Sequence, residues 1–289
     1  MLDEPTPHWR DFIELMRLHK PIGIYLLLWP TLWALLVAGD GSPDTKIVLI
    51  FIAGVFVMRS VGCVINDYFD RDFDRHVSRT RNRPLTAGRV TLWEARALIA
   101  GLGLLALLLV LMLNRLTILL SLGGALIAVI YPYMKRVTYL PQVVLGAAFA
   151  WSVPMVFAAQ TGSVPQIAWL MFTTTVLWTT AYDTMYAMVD RQDDIALGLK
   201  STAILFDEAD RVIIGALQLS VLICLCLIGY QAELGFAYYA GVAVAALLAV
   251  YQQRLIYTRE RDGCFKAFLN NNFFGMAVFL GMLLDYQLG

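Results

Sequence analysis

Asn66, Asp70 and Asp74 recur at every fourth position in the stretch INDYFDRDFDR. On a helix this spacing puts all three on one face, with Asp67 one step round from it. A second stretch, DRQDD, sets Asp190 and Asp194 one turn apart with Asp193 beside them. Carboxylates four residues apart on a helix repel, so each stripe calls for a cation. Oxygen donors with no His or Cys nearby suit a hard ion. Mg²⁺ fits best, because it keeps several waters and takes one or two carboxylates plus phosphate oxygens. Two such clusters facing each other suit a diphosphate held through two or more ions. The competing reading is a solvated acidic loop paired with its own arginines. One Asp-x-x-x-Asp favours that reading, whereas two copies, each running on into a basic stretch, favour the metal.

Arg79, Arg81, Arg83, Lys135, Arg136 and Lys200 lie near these clusters in the chain. They are donors for phosphate oxygens and for a departing diphosphate. The charge rule for cytoplasmic loops would place basic residues here without any ligand. Arg59 and Asp183 say more. Each lies seven residues before a motif, Arg59 before Asn66 and Asp183 before Asp190. Seven residues of helix put both about 10 Å deeper. Ionisable groups at that depth face a cavity or each other. Two readings stand: an ion pair between them, or Arg59 binding an anionic or polar co-substrate that Asp183 orients or deprotonates. Tyr68, Tyr131, Tyr133, Tyr182 and Tyr186 are close enough in sequence to offer ring faces to a carbocation. Trp29, Trp33, Trp151, Trp169 and Trp178 read as packing or interface residues, and Asn270, Asn271 and Asn272 as caps, packing groups or site-lining amides. The four cysteines lack metal-site spacing and read as buried, inert thiols.

The elements that must carry these residues are membrane spans. Of 289 residues, 59% are hydrophobic and 15% charged, with mean hydropathy +0.67. Soluble domains average roughly 25% charged residues, so disorder, a disulfide scaffold and a basic nucleic-acid binder are excluded. Apolar runs fall at 21–39, 46–65, 92–113, 116–133, 142–160, 166–187, 212–230, 234–252 and 270–288. The expected fold is therefore an all-α, polytopic integral membrane bundle of nine transmembrane helices forming one domain, 1–289. With the N-terminus cytoplasmic, only Lys46 and Arg115 of the 22 Lys and Arg fall on the far side, and Arg59 and Arg96 lie within spans. That asymmetry sets the orientation and supports the odd number of spans. The two acidic motifs follow spans two and six, which suggests an internal repeat of four-helix units.

The stretch GCVINDYFDRDFD resembles the NDxxDxxxD motif of the UbiA superfamily of membrane prenyltransferases, and YDTMYAMVDRQDD resembles its second motif. RLHKPIG leading into LLLWPTLWAL, together with AFLNNN, is similar to the branch that acts on 4-hydroxybenzoate in ubiquinone biosynthesis. The resemblance covers essentially the whole chain. It implies Mg²⁺ held by Asn66, Asp70, Asp190 and Asp194, with Asp67 and Asp74 in support. Lys135, Arg136, Lys200, Arg79 and Arg83 then hold the diphosphate of a polyprenyl diphosphate. It implies ionisation to an allyl cation, with Asp70 and Asp190 central, and attack by the ring of 4-hydroxybenzoate ortho to its hydroxyl. Arg59 is expected on the acceptor's carboxylate and Asp183 on its hydroxyl, with Tyr131 also at the substrate.

The rivals are a superfamily member with another aromatic acceptor and a cation-coupled transporter. Inverted repeats and mid-membrane sites mark such transporters, whereas both motifs here sit at one face. The N-terminal stretch MLDEPTPHWRDFIELMRLHK lacks the pattern of a signal or transit segment. The expected location is a bacterial inner membrane, with the site toward the cytoplasmic face.

Overall fold

Each apolar run is helical in the computed structural model, which describes residues 8–75 and 80–288. Among these residues all regular structure is helical. In chain order the helices are α1 (His8–Leu15), α2 (Ile22–Ala38), α3 (Thr45–Asp74), α4 (Leu92–Leu111), α5 (Arg115–Ile130), α6 (Met134–Val137) and α7 (Pro141–Ala150). They continue with α8 (Ser152–Thr161), α9 (Gln166–Ala196), α10 (Thr202–Phe206), α11 (Asp210–Gln231), α12 (Phe236–Leu255) and α13 (Arg261–Leu288).

Seven segments among the described residues are long and apolar enough to cross a bilayer: 45–72, 92–111, 115–137, 141–161, 202–231, 236–255 and 261–288. The other two expected runs are also helices. However, α2 has only 17 residues, and the 31-residue α9 is laced with threonine and aspartate. The run at 142–160 is interrupted at Trp151, between α7 and α8. Pro154 explains the break, because it offers no N–H to the carbonyl four residues earlier and its ring crowds that carbonyl. Two helices outlast their apolar runs. α3 continues to Asp74 and α9 to Ala196, so both acidic motifs are helical and sit at helix C-terminal ends.

α9 is the central element, packed against α7, α11 and α13. Thr174, Thr175, Thr180 and Thr184 turn inward and return their hydroxyls to the backbone, as Thr175 does to Met171 O at 2.9 Å. Trp178 anchors the core, stacked on Phe274 with centroids 5.6 Å apart and tilted against Trp33 at 5.2 Å. Apolar side chains gain little by leaving lipid, so close packing and interhelical hydrogen bonds hold such a bundle together. α12 and α13 show the close packing: a Cβ on Gly241 would fall 2.6 Å from Ala277 O. The three amides of α13 show the hydrogen bonds. Asn270 accepts from Gln252 at 3.0 Å, Asn271 from Trp178 at 2.9 Å and Asn272 from Trp29 at 3.0 Å. They are packing groups that fix α13 against α12, α9 and α2.

α4 and α5 bury almost nothing, Ala95 on one and Thr117 on the other. Leu104, Leu108, Leu119, Leu122 and Leu126 stand exposed on them. A contiguous apolar face of this kind belongs against lipid. The cysteines are free, but only Cys63 and Cys264 are buried. Cys226, expected inside, is exposed on α11, because an apolar run in a bilayer has no need to face the core.

Candidate active site

The first motif is built on paired charges. Asp67 is 1% exposed, and a lone carboxylate in such a place would carry a large desolvation cost. Two guanidiniums offset it: Arg17 donates to it at 2.6 Å and Arg83 at 3.0 Å. Arg83 also donates to Asp74 at 2.6 Å, bridging positions seven apart on α3. Burial pushes the Asp74 carboxyl pKa upward, and Arg83 offsets this only in part. Burial works against the Arg17 charge, but Asp67 overrides it and holds the guanidinium pKa above its ordinary value. Arg17 adopts a left-handed backbone (φ 56°) just past α1, and Leu18 N–H donates back to Ile13 O at 3.1 Å. This turn aims Arg17 at α3. Its charge also feels Tyr186 on α9, so it lies between the two motif helices.

Asp67 and Asp74, both expected with the metal, are thus engaged by arginines. Asn66 and Asp70 share the motif's other flank and are half-buried. On α9, Arg191 pairs with the fully buried Asp210, and Asp193 with Arg261 at 3.3 Å. Arg259 joins Asp210 at 3.0 Å, which ties the end of α9 to α11 and to the turn before α13. Asp190 and Asp194 are half-buried.

Lys135 links the two motifs. Its ammonium lies in the field of Asp70 on one side and of Asp194 and Asp183 on the other, beside the Tyr131 hydroxyl. Asp183 in turn feels Lys135, Arg59 and Asp190. The structure therefore draws Asp70, Asp183, Asp190, Asp194, Arg59, Tyr131 and Lys135 into one neighbourhood between α3, α9 and the turn after α5. The other basic candidates have contacts of their own. Arg136 donates to Phe69 O at 3.0 Å and lies 3.8 Å from Asp70. Lys200 donates to Val137 O at 3.2 Å and sits 5.4 Å over the Tyr139 ring. Arg83 is taken up by Asp67 and Asp74, and Arg79 lies outside the described residues.

Arg59 and Asp183 do not form an ion pair with each other among the described residues. Arg59 reaches from α3 toward α2, where Gly23 leaves room for its guanidinium. A Cβ at Gly23 would overlap Arg59 Nε, Cζ and Nη2. The guanidinium lies 5.9 Å from the Phe149 ring centroid. Sequence reasoning missed Gly23, Phe149 and the Arg17–Asp67 pair, because no spacing rule joins residues on different helices.

Among the described residues, no three His, Cys, Asp or Glu side chains converge into a ready-made cage. The donors are instead split between two helices, with oxygen atoms only. An ion that Mg²⁺-like chemistry shares between carboxylates and phosphate oxygens needs this arrangement rather than a closed cage.

The comparisons with known proteins agree with this architecture. The model of the UbiA prenyltransferase family matches residues 27–278. A 4-hydroxybenzoate octaprenyltransferase of Marinobacter nauticus is 59% identical, over 95% of this chain and 94% of its own. One from Nitrosococcus oceani is also 59% identical, over 95% of this chain and 96% of its own. A UbiA homologue from Aeropyrum pernix superposes with TM-score 0.81 at 25% identity, covering 91% of this chain and 97% of that one. A UbiA homologue from Archaeoglobus fulgidus, solved with DMAPP and Mg²⁺, shares the fold at TM-score 0.71 and 18% identity, covering 93% and 99%. With its two helical acidic motifs and this extent of likeness, the chain belongs to the UbiA prenyltransferase family.

Proposed function

We propose that this protein transfers a polyprenyl group from polyprenyl diphosphate to 4-hydroxybenzoate, ortho to the hydroxyl, releasing diphosphate in a step of ubiquinone biosynthesis. The observation that carries the reading is the shared neighbourhood of Asp70, Asp190, Asp194 and Lys135, with Arg59 and Asp183 about two helical turns deeper. The relatives that are 59% identical carry the name of this reaction.

Asn66, Asp70, Asp190 and Asp194 are the residues that would hold Mg²⁺. Bound there, the ion supplies positive charge against the negative charge that grows on the diphosphate as the allylic C–O bond breaks. Lys135 faces the same oxygens and stabilises them electrostatically, with Arg136 at the rim. Asp67 and Asp74 act through Arg17 and Arg83, which fix the end of α3. Deeper in, Arg59 takes the acceptor's carboxylate, and Asp183 takes the proton of its hydroxyl, raising electron density at the ortho carbon. Tyr131 lines the junction between the two subsites. The apolar bundle keeps water from the allyl cation, which water would otherwise quench.

In this reading the two helices outside the seven apolar spans, α2 and α9, also cross the bilayer, giving nine. The lopsided Lys and Arg distribution then puts the N-terminus and both motifs on the cytoplasmic side of a bacterial inner membrane. The test is prenyl transfer in membranes carrying the protein, using radiolabelled 4-hydroxybenzoate and a polyprenyl diphosphate. Lipid-soluble label should form only with Mg²⁺ and be lost in Asp70→Asn and Asp190→Asn. Label that persists in either variant would remove that motif from the reaction.

A further inference from the structure

Arg96 and Tyr68 form a polar pair outside the site described above. Arg96, exposed on α4, donates to the Tyr68 hydroxyl through Nε at 3.0 Å and through Nη2 at 2.6 Å. Its guanidinium lies 5.5 Å from the Tyr68 ring centroid and 5.9 Å from that of Trp93. These partners are all neutral, and among the described residues Arg96 meets no carboxylate. Arg17, Arg83, Arg89, Arg191 and Arg259, by contrast, each have an acidic partner. A guanidinium carries five N–H donors and no acceptor, so donors remain after the bonds to Tyr68. The Tyr68 oxygen already accepts twice, which leaves its own hydrogen to donate. Both groups therefore call for one acceptor with negative charge.

The same two residues sit on an apolar groove of about 370 Å³ between α3, α4 and α5, walled by Ile65, Phe69, Ile99, Ala100 and Val129. Arg96 comes one turn before Ile99 and Ala100 on α4, and Tyr68 one turn after Ile65 on α3. The charge thus stands at the motif end of the groove, and the apolar walls run on into the span. Past Ala100 the surface stays apolar, with Leu104 and Leu108 exposed. Trp93, in the first turn of α4, is 78% exposed, and exposed indoles of spanning helices mark the level where bilayer meets water. Arg96 lies one turn further in, about 5 Å, a depth from which a long basic side chain reaches back to the headgroups.

We propose that this groove binds an anionic phospholipid, its phosphate accepting from Arg96 and the Tyr68 hydroxyl and one acyl chain lying along Ile65, Ile99, Ala100 and Val129. Charge decides the headgroup. Arg96 has a charge that no side chain offsets, whereas the ammonium of a zwitterionic lipid already offsets its own phosphate. Basic pockets between membrane helices take anionic headgroups for this reason. The bound lipid ties α4 to the end of α3, next to Asp67, and braces the first motif from the membrane side without touching the reactants.

The test uses the full chain in detergent, titrated separately with dioleoyl phosphatidylglycerol and dioleoyl phosphatidylcholine, which share their acyl chains. Phosphatidylglycerol should raise Tm at about tenfold lower content than phosphatidylcholine. Arg96→Gln, at an exposed position that leaves the fold intact, should need about tenfold more phosphatidylglycerol for the same rise and so lose the preference. Ala100→Trp fills the groove with Arg96 in place, and should weaken the response to both lipids. Equal responses of the parent to the two lipids overturn the proposal. So does a phosphatidylglycerol response that either variant leaves unchanged. In turnover, Arg96→Gln should keep the parent's KM for polyprenyl diphosphate; a rise of about tenfold assigns the groove to the prenyl chain and overturns the proposal as well.

Discussion

Arg83→Gln tests whether the first motif is held by charge. Arg83 is 19% exposed at its side chain and joins Asp67 and Asp74, which are 2% and 10% exposed. Removing it leaves Asp67 with Arg17 but takes from Asp74 the partner that offsets its burial. Breaking one side of a buried ion pair costs about 3–5 kcal/mol when the other charge is stranded. Asp74 has a way out, because it can take up a proton. Protonating an ordinary aspartate at pH 7 costs about 4 kcal/mol, and burial has already moved Asp74 in that direction. The expected loss is therefore about 2–4 kcal/mol, a Tm fall of roughly 5–15 °C for a chain of this size. The sign with pH follows from the raised folded-state pKa. Such a carboxyl stabilises the fold while protonated, and that contribution is lost as pH rises through the folded pKa. Without Arg83 the folded pKa climbs further, so the gap between parent and variant should be small near pH 4 and widen to a plateau at alkaline pH. Arg83→Lys should recover about half the loss, since one ammonium cannot bridge both carboxylates as a guanidinium fork does. Thermal unfolding in detergent from pH 4 to pH 8 reads all of this. A Tm within about 2 °C of the parent at pH 8, or a gap independent of pH, would sink the argument.

Two further substitutions separate stability from function. Gly23→Ala places a methyl where the Arg59 guanidinium lies; the flexible arginine gives way rather than the helix, so Tm should hold, and helix propensity adds up to about 1 kcal/mol. The KM for the acceptor should rise about tenfold or more as Arg59 moves off its position, and an unchanged KM would show that Arg59 does not bind the acceptor from there. Asp210→Asn strips the fully buried anchor of Arg191 and Arg259, with an expected loss of about 3–5 kcal/mol and faster proteolysis at the C-terminal end of α9, both measurable by thermal unfolding and limited digestion.

The sequence by itself determined the helices and the family. Apolar runs in lipid must satisfy their own backbone hydrogen bonds, so each run became helical. The fourfold spacing of Asn66, Asp70 and Asp74 put them on one face once α3 ran through to Asp74. Local composition misled where polarity looked like an ending: α9 continues nine residues past the apolar run at 166–187 because no proline or glycine stops it before Gly198. Likewise α13 begins at Arg261, ahead of the run at 270–288. What only the tertiary structure decided is which charge meets which. A basic residue at a helix end looks the same in sequence whether it faces water, a phosphate or a carboxylate. Packing α1 and α3 together made Arg17 the partner of Asp67 across fifty residues, and the placing of α6 near the two motifs brought Lys135 into the field of Asp70 and Asp194. Spacing rules reach one or two turns along a single helix, whereas these pairings depend on how separate helices cross, and that is set by side-chain packing along their whole length.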